Sequence, residues 1–157
     1  MARHQQALKT HQPDQGQVLL PIVSLYENCL QAFTETETPE QWARINGLLG
    51  GVFGKIPTGD HGADSARAIG YYTAALRVYR EETFPAQWAA TQALLAGVYV
   101  RLLVGDRPAH LSRAIEHYDA ALRVWTESTT PHEWATAQAC TYRKLRPCWY
   151  QGTYDPC

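Results

Sequence analysis

Trp42, Trp88 and Trp134 lie 46 positions apart, each in the same phrase: Thr-Pro-Glu-Gln-Trp-Ala, Phe-Pro-Ala-Gln-Trp-Ala and Thr-Pro-His-Glu-Trp-Ala. The same offset aligns Tyr26 with Tyr72 and Tyr118, and Leu30 with Leu76 and Leu122. It also puts three aromatics, Phe33, Tyr79 and Trp125, in one slot. Arg67 to Gln92 matches Arg113 to Gln138 at more than half of its positions. This repetition constrains the fold more than any other feature, because a short unit that cannot bury its apolar face alone must stack on its neighbours.

Each unit reads as two helices. Ile69, Tyr72, Leu76 and Tyr79 recur at steps of three and four beside Ala68 and Ala75, which makes one apolar stripe, repeated as Ile115, Tyr118, Leu122 and Trp125. A second helix opens at the Pro of the tryptophan phrase, where a missing N–H is harmless. It is expected to bury Trp88, Leu95, Val98, Tyr99 and Leu102. Thr38 with Gln41, and Thr130 with Glu133, have capping-box spacing. Phe84 stands in that slot in the middle unit, where no side-chain cap is readable. Gly59-Asp60 and Gly105-Asp106 read as loops in which Gly ends one helix and Asp starts the next. The expected fold is all-α: a right-handed α-solenoid of stacked antiparallel helix pairs over residues 18–139, after a polar, disordered leader at 1–17 and before an aberrant tail at 140–157.

Leu95-Ala96-Gly97-Val98-Tyr99, followed across a loop by Ala114-Ile115-x-x-Tyr118-x-x-Ala121, resembles the tetratricopeptide repeat. That signature runs Leu-Gly-x-x-Tyr, then Ala-x-x-x-Phe/Tyr-x-x-Ala, then Pro, in a unit of about 34 residues. Ala96 replaces the usual Gly, but Gly50 stands in the equivalent place one unit earlier. Both helices are longer than the family's, and the Pro-x-x-Trp-Ala opening lies in the added part. Long units of this kind are similar to those of bacterial multi-repeat proteins that often precede a caspase-like peptidase domain. The resemblance covers roughly residues 20 to 138 and implies a scaffold for protein or peptide partners.

The resemblance also implies that the tryptophan helices line the concave face. The groove candidates are then Arg44, Gly47, Gly51, Gly54 and Lys55 in one unit, and Ala90, Ala93, Gly97, Val100 and Arg101 in the next. Family members that grip a C-terminal carboxylate use Asn and Lys at several of these places, so Gly and Ala here argue against such a clamp. Two readings follow: a shallow groove with Arg44, Lys55 and Arg101 at its margins, or small residues that merely let helices pack closely. The tryptophans are expected to be buried stacking groups rather than an exposed ladder. Arg67, Arg77, Arg113 and Arg123 fall on the first-type helices, and Arg77 with Glu81 and Asp119 with Arg123 have i,i+4 spacing, which reads as a solvated convex face.

Composition enters by exclusion. Lys+Arg is 14 against Asp+Glu 15, for a net charge of −1, which argues against nucleic acid held by bulk electrostatics and against a polybasic membrane surface. Hydrophobic residues at 45% and charged residues at 18% suit a packed core, and no apolar run reaches the roughly 18 residues of a membrane span. The polar start reads as having no signal peptide, and four Cys in 157 residues make no disulfide framework, so a cytoplasmic location is expected.

No catalytic constellation stands out: there is no His-Glu-x-x-His, Gly-x-x-x-x-Gly-Lys, Gly-x-Ser-x-Gly or Cys-x-x-Cys. Cys29 and Cys140 take the slots of Ala75 and Leu94 and read as core fillers. Cys140, Cys148 and Cys157 are too widely spaced for a knuckle-type zinc site. The repeat stops after Ala139, which is expected to leave Tyr118, Leu122 and Trp125 partly uncovered and to favour self-association through an uncapped C-terminal end. The leading expectation is therefore a non-enzymatic interaction scaffold without metal or cofactor. A regulatory fragment of a larger caspase-like effector is the alternative, and a small metal or thiol enzyme on the Cys-rich tail is a third reading.

Overall fold

Helix starts in the computed structural model follow the sequence period. The structure describes residues 15–55, 60–102 and 105–141. Among them every regular element is helical: α1 (Gln15–Ala32), α2 (Pro39–Lys55), α3 (His61–Val78), α4 (Pro85–Arg101), α5 (Arg107–Ala121) and α6 (Pro131–Gln138). α1, α3 and α5 begin at residues 15, 61 and 107, and α2, α4 and α6 at 39, 85 and 131, a constant step of 46. α1 starts inside the segment read as leader. Residues 1–14, and the tail from 142 onward with Cys148 and Cys157, lie outside the described residues. α6 runs into a wider, π-type turn at 139–141.

Local chemistry explains these boundaries. Pro39, Pro85 and Pro131 each occupy the first position of their helix. Asp60 and Asp106 cap α3 and α5, accepting the Ala63 and Ala109 N–H groups at 3.0 and 3.2 Å. Gly105 has φ +92°, a backbone that favours glycine, and a Cβ there would sit 3.1 Å from His110 Nε2. Arg107 donates to the Val100 and Leu102 carbonyls, closing the end of α4 that helical bonding leaves open.

The two expected capping boxes do not form. Thr38 turns its hydroxyl back to the Thr34 carbonyl at 3.3 Å, and the hydroxyl also accepts the Thr34 N–H at 3.0 Å. Thr130 makes no side-chain cap, and its Oγ1 is buried without a hydrogen-bond partner among the described residues. A tight turn takes precedence at all three places: the N–H of Thr38, Phe84 and Thr130 bonds the carbonyl of Thr34, Arg80 and Thr126 at 2.9–3.0 Å. This backbone turn is indifferent to the side chain at its last position. In the middle unit Phe84 packs edge-on against Tyr79, centroids 5.6 Å apart, so an apolar contact replaces the cap.

α2 packs most extensively on α3, and α4 on α5; α3 meets α4 across a smaller interface, and α1 and α6 flank the set. The main core joins Leu49, Phe53, Ala68, Tyr72, Leu95, Val98, Tyr99, Ala114 and Tyr118. A second cluster joins Ala43, Ala75, Tyr79, Trp88, Ala89 and Ala121, whose four alanines are fully buried. Of the expected stripe, Ala68, Tyr72, Ala75 and Tyr79 are buried and Ile69 and Leu76 half-buried; of the expected face of α4, Trp88, Leu95, Val98 and Tyr99 are buried and Leu102 half-buried. Cys29 and Cys140 are half-buried at the margin of the main core. Of the stripe expected to be uncovered, Tyr118 is buried, and Leu122 and Trp125 are half-buried.

One glycine is set by packing and another is not. A Cβ on Gly50 would lie 2.8 Å from two ring carbons of buried Tyr72, whereas one on Gly47 would meet nothing within 4 Å. Gly50→Ala is expected to destabilise by about 1–3 kcal/mol through overpacking. Gly47→Ala in the same helix is expected to stabilise by about 0.5–1 kcal/mol. Paired urea melts check both signs.

Burial pushes the Tyr72 phenol up to about 12 and raises Tyr79, Tyr71 and Tyr118 in the same direction. A raised folded value favours the neutral phenol in the native state. Stability is therefore retained below the unfolded value near 10 and lost as pH rises through the folded ones. The melting temperature is expected to fall above about pH 10, with phenolate absorbance appearing together with unfolding.

Candidate interaction surfaces

The groove candidates lie on α2 and α4 at helical spacing, and the structure places them on the outer side of both helices. Arg44 and Lys55 are exposed, while Gly47, Gly51, Gly54, Ala93, Gly97 and Val100 are half-exposed. Cβ atoms at Gly51, Gly54 and Gly97 would make only ordinary contacts, 3.5–3.9 Å, with Tyr72 Oη, Val98, Arg101, Ala68 and Tyr118 Oη. Close helix approach therefore does not require these glycines; Gly50, on the inner side, carries that requirement. Arg101 is not a free marginal cation. Its Nη2 donates to the Gly54 carbonyl at 2.9 Å, tying α4 to the end of α2.

Two residues absent from the sequence-based list complete this face. Leu48 and Leu94 are 42% and 47% exposed, the same slot one period apart. Each is four residues after a groove candidate, Arg44 or Ala90, and three before another, Gly51 or Gly97. The signal was present in the 46-residue alignment, but an apolar residue at helical spacing reads as core by default.

The opposite helices carry a different repeated arrangement. Arg77 of α3 reaches the turn between α1 and α2, with Nη2 2.7 Å from Glu35 Oε2, and its guanidinium carbon stands 5.8 Å from the Trp42 ring centroid. One period on, Arg123, in the turn that follows α5, bonds Glu81 twice, at 2.6 and 3.1 Å, and stands 5.0 Å from the Trp88 centroid. The Arg123 guanidinium holds the Glu81 carboxyl below its ordinary range, first by hydrogen bonding and then by charge. A second set recurs at the other end of the helices. Arg67 lies 5.3 Å from Phe53, on which Tyr71 stacks at 5.6 Å, and Arg113 lies 5.8 Å from Tyr99, on which His117 stacks at 5.5 Å.

Arg67, Arg77, Arg113 and Arg123 are exposed, as the solvated-face reading expects, but the expected i,i+4 pairing gives way to contacts between helices. Glu81 pairs with Arg123, 42 residues away, and not with Arg77 at i−4; Arg77 pairs with Glu35, and Arg123 reaches Glu81 across the helix interface. A guanidinium can lie flat on an aromatic ring and bond a carboxylate with its edge at the same time, which an i,i+4 pair on one helix does not offer. His117 is held below its ordinary value, chiefly by burial, and its Nδ1 lies 2.6 Å from Gln92 Oε1, so the neutral ring donates to Gln92.

The three repeated tryptophans differ in burial: Trp88 is 8% exposed, whereas Trp42 and Trp134 are half-buried. Among the described residues no group of three or more His, Cys, Asp or Glu could hold a metal ion, and no helix is long and apolar enough to cross a membrane. No protein-family model, curated protein or solved structure matches this chain.

Trp88→Ala is expected to cost about 3–5 kcal/mol, because it empties a buried site between α4 and α5. Trp42→Ala, at a half-buried site, is expected to cost clearly less. Chemical denaturation of both variants tests the difference, and equal, negligible losses would make the rings surface groups.

Proposed function

We propose that this protein is an interaction scaffold of tetratricopeptide-like helix pairs, and that it holds a peptide or protein segment on the face shared by α2 and α4. The pairing of α2 with α3 and α4 with α5, the 46-residue recurrence of contacts, and the Leu-x-Gly-x-Tyr phrase all support that reading. The observation that carries it is the register of Leu48 and Leu94. Both are large apolar side chains exposed at the same repeat position, on a face where glycine and alanine leave room beside them.

The chemistry of that face defines the ligand. Two leucines one period apart offer apolar anchors, the small residues beside them let a backbone approach, and Arg44 and Lys55 place positive charge at the margin. A short segment with two apolar side chains and flanking acidic residues fits best.

The test is a randomised peptide display library selected on the purified chain. Enriched sequences are expected to carry spaced apolar residues with Asp or Glu nearby. Leu94→Asp is expected to lower their affinity at least tenfold without lowering the melting temperature, because the side chain it replaces is half in solvent. Selected peptides that bind Leu94→Asp and the unaltered chain equally would remove α2 and α4 as the binding face.

A further inference from the structure

We infer that the face shared by α2 and α4 contains a carboxylate site, in which the guanidinium of Arg101 and the hydroxyl of Tyr72 together hold one acidic side chain. The inference rests on the groove reading only for what presents that side chain, a bound segment; the two donors are a property of the fold.

Tyr72 belongs to α3, yet its hydroxyl is delivered to the outer side of α2. The ring passes so close to Gly50, which is buried, that a Cβ there would stand 2.8 Å from two of its carbons. Its oxygen then ends 3.6 Å from the Cβ position of Gly51, which is half-exposed. The residue as a whole is 2% exposed, and the hydroxyl makes no hydrogen bond among the described residues. Its counterpart one period on, Tyr118, bonds Cys140. In the slot of Cys140, α4 carries Leu94, which offers no hydrogen bond. A phenylalanine would fill the same space without taking a hydroxyl out of water, so packing does not account for this group. Burial holds the phenol neutral up to about 12, which keeps it a donor at neutral pH.

Arg101 reaches the same place from the last turn of α4. Its Nη2 donates to the Gly54 carbonyl at 2.9 Å and stands 3.6 Å from the Cβ position of Gly54, while Nη1 stands 3.5 Å from that of Gly97. The guanidinium thus bridges α4 and α2 between two glycines. Gly51 and Gly54 are three residues apart and neighbours on one side of α2, so the hydroxyl and the guanidinium stand over adjacent positions of the same helix. The charge on Arg101 acts on Tyr72, opposing the rise that burial gives its phenol. Arg77 and Arg123 each have a carboxylate against them; Arg101 has none among the described residues. The bond to Gly54 fixes the cation before a ligand arrives, so little side-chain freedom is lost on binding. A fixed guanidinium beside a neutral hydroxyl donor matches an acceptor-only group of single negative charge. The missing side chains at Gly51, Gly54 and Gly97 leave the room for it.

Propionate, the side chain of glutamate without its backbone, is the first probe. It is titrated into the full chain at constant ionic strength while the arginine Nε–H resonances are read by nuclear magnetic resonance. The Arg101 resonance is expected to follow a saturating curve, and that of Arg44 to show no saturation. Tyr72→Phe is expected to weaken the site about threefold with the melting temperature unchanged or raised, because the hydroxyl holds no bond within the fold. Gly51→Ala places a methyl 3.6 Å from the hydroxyl without a clash and is expected to weaken the site as much, again without lowering the melting temperature. The second probe is a C-terminally amidated peptide selected on the face of α2 and α4. Exchanging one of its acidic residues for the amide is expected to cost about tenfold in affinity on the unaltered chain and little on Arg101→Gln, whereas the same exchange on Arg44→Gln keeps its full cost. No saturation at Arg101, or an affinity that neither Tyr72→Phe nor Gly51→Ala changes, would overturn the inference, and peptides that still bind would then keep the groove. Saturation at Arg101 with both variants weakened, but with no peptide selected, would support the carboxylate site and remove the groove.

Discussion

Tyr72 lies so close to Gly50 that a Cβ there would overlap its ring, and its hydroxyl stands 3.6 Å from the Cβ position of Gly51. One period later the Tyr118 hydroxyl stands 3.8 Å from the corresponding position of Gly97. A tyrosine laid along a tryptophan helix in this way sets the distance between the two helices of each close pair, because a flat, rigid ring fits only where the opposing residue is small. The fully buried alanines at 43, 75, 89 and 121 set the same spacing at the other end of the pair. Helix pairs held at both ends are stiff units. What remains variable is how one unit sits on the next, and there the interface between α3 and α4 is smaller.

That difference explains where polar chemistry gathers. Across units, Arg101 of α4 takes the Gly54 carbonyl at the end of α2, and within a pair Arg107 of α5 takes the Val100 carbonyl at the end of α4, while the turns before the tryptophan helices are fixed by their own backbone bonds. Buried polar side chains satisfy themselves locally: Asn46 bonds the Trp42 carbonyl at 2.8 Å and Thr91 the Gln87 carbonyl at 2.7 Å. The outer side of α2 and α4 is left with few obligations of its own. A face that glycine and alanine line without steric need, and that exposes Leu48 and Leu94, carries residues that the packing does not account for.

The helix content, the helix starts and the buried stripe were legible because they follow from the phase of apolar residues and from Pro and Asp at first positions, which act within a few residues of chain. The capping boxes were misread for the same reason: Thr38 and Thr130 have the right neighbours in sequence, yet the turn before each helix competes for the same groups. The arginines were misread because local spacing offers i,i+4 partners, while the ring and carboxylate that Arg123 uses lie 35 and 42 residues away. The tail beyond 141, where the repeat pattern ends, lies outside the described residues and leaves that part of the sequence reading where it stood.

Apolar stripes alone fix such a stack poorly. Leucine, tyrosine and alanine at steps of three and four allow one helix to slide on another by a turn and still bury similar area, so packing gives stability more readily than register. The glutamate, tryptophan and arginine contact removes that freedom. A slide of one helical turn, about 5.4 Å, would take the guanidinium off both the ring and the carboxylate at once. Glu81 and Arg123 are too exposed for this contact to add much to stability, so its value lies in discrimination between near-equal packings. Inside the chain that contact recurs twice, holding α3 on α2 through Arg77 and the end of α5 on α4 through Arg123, so each close pair has one register.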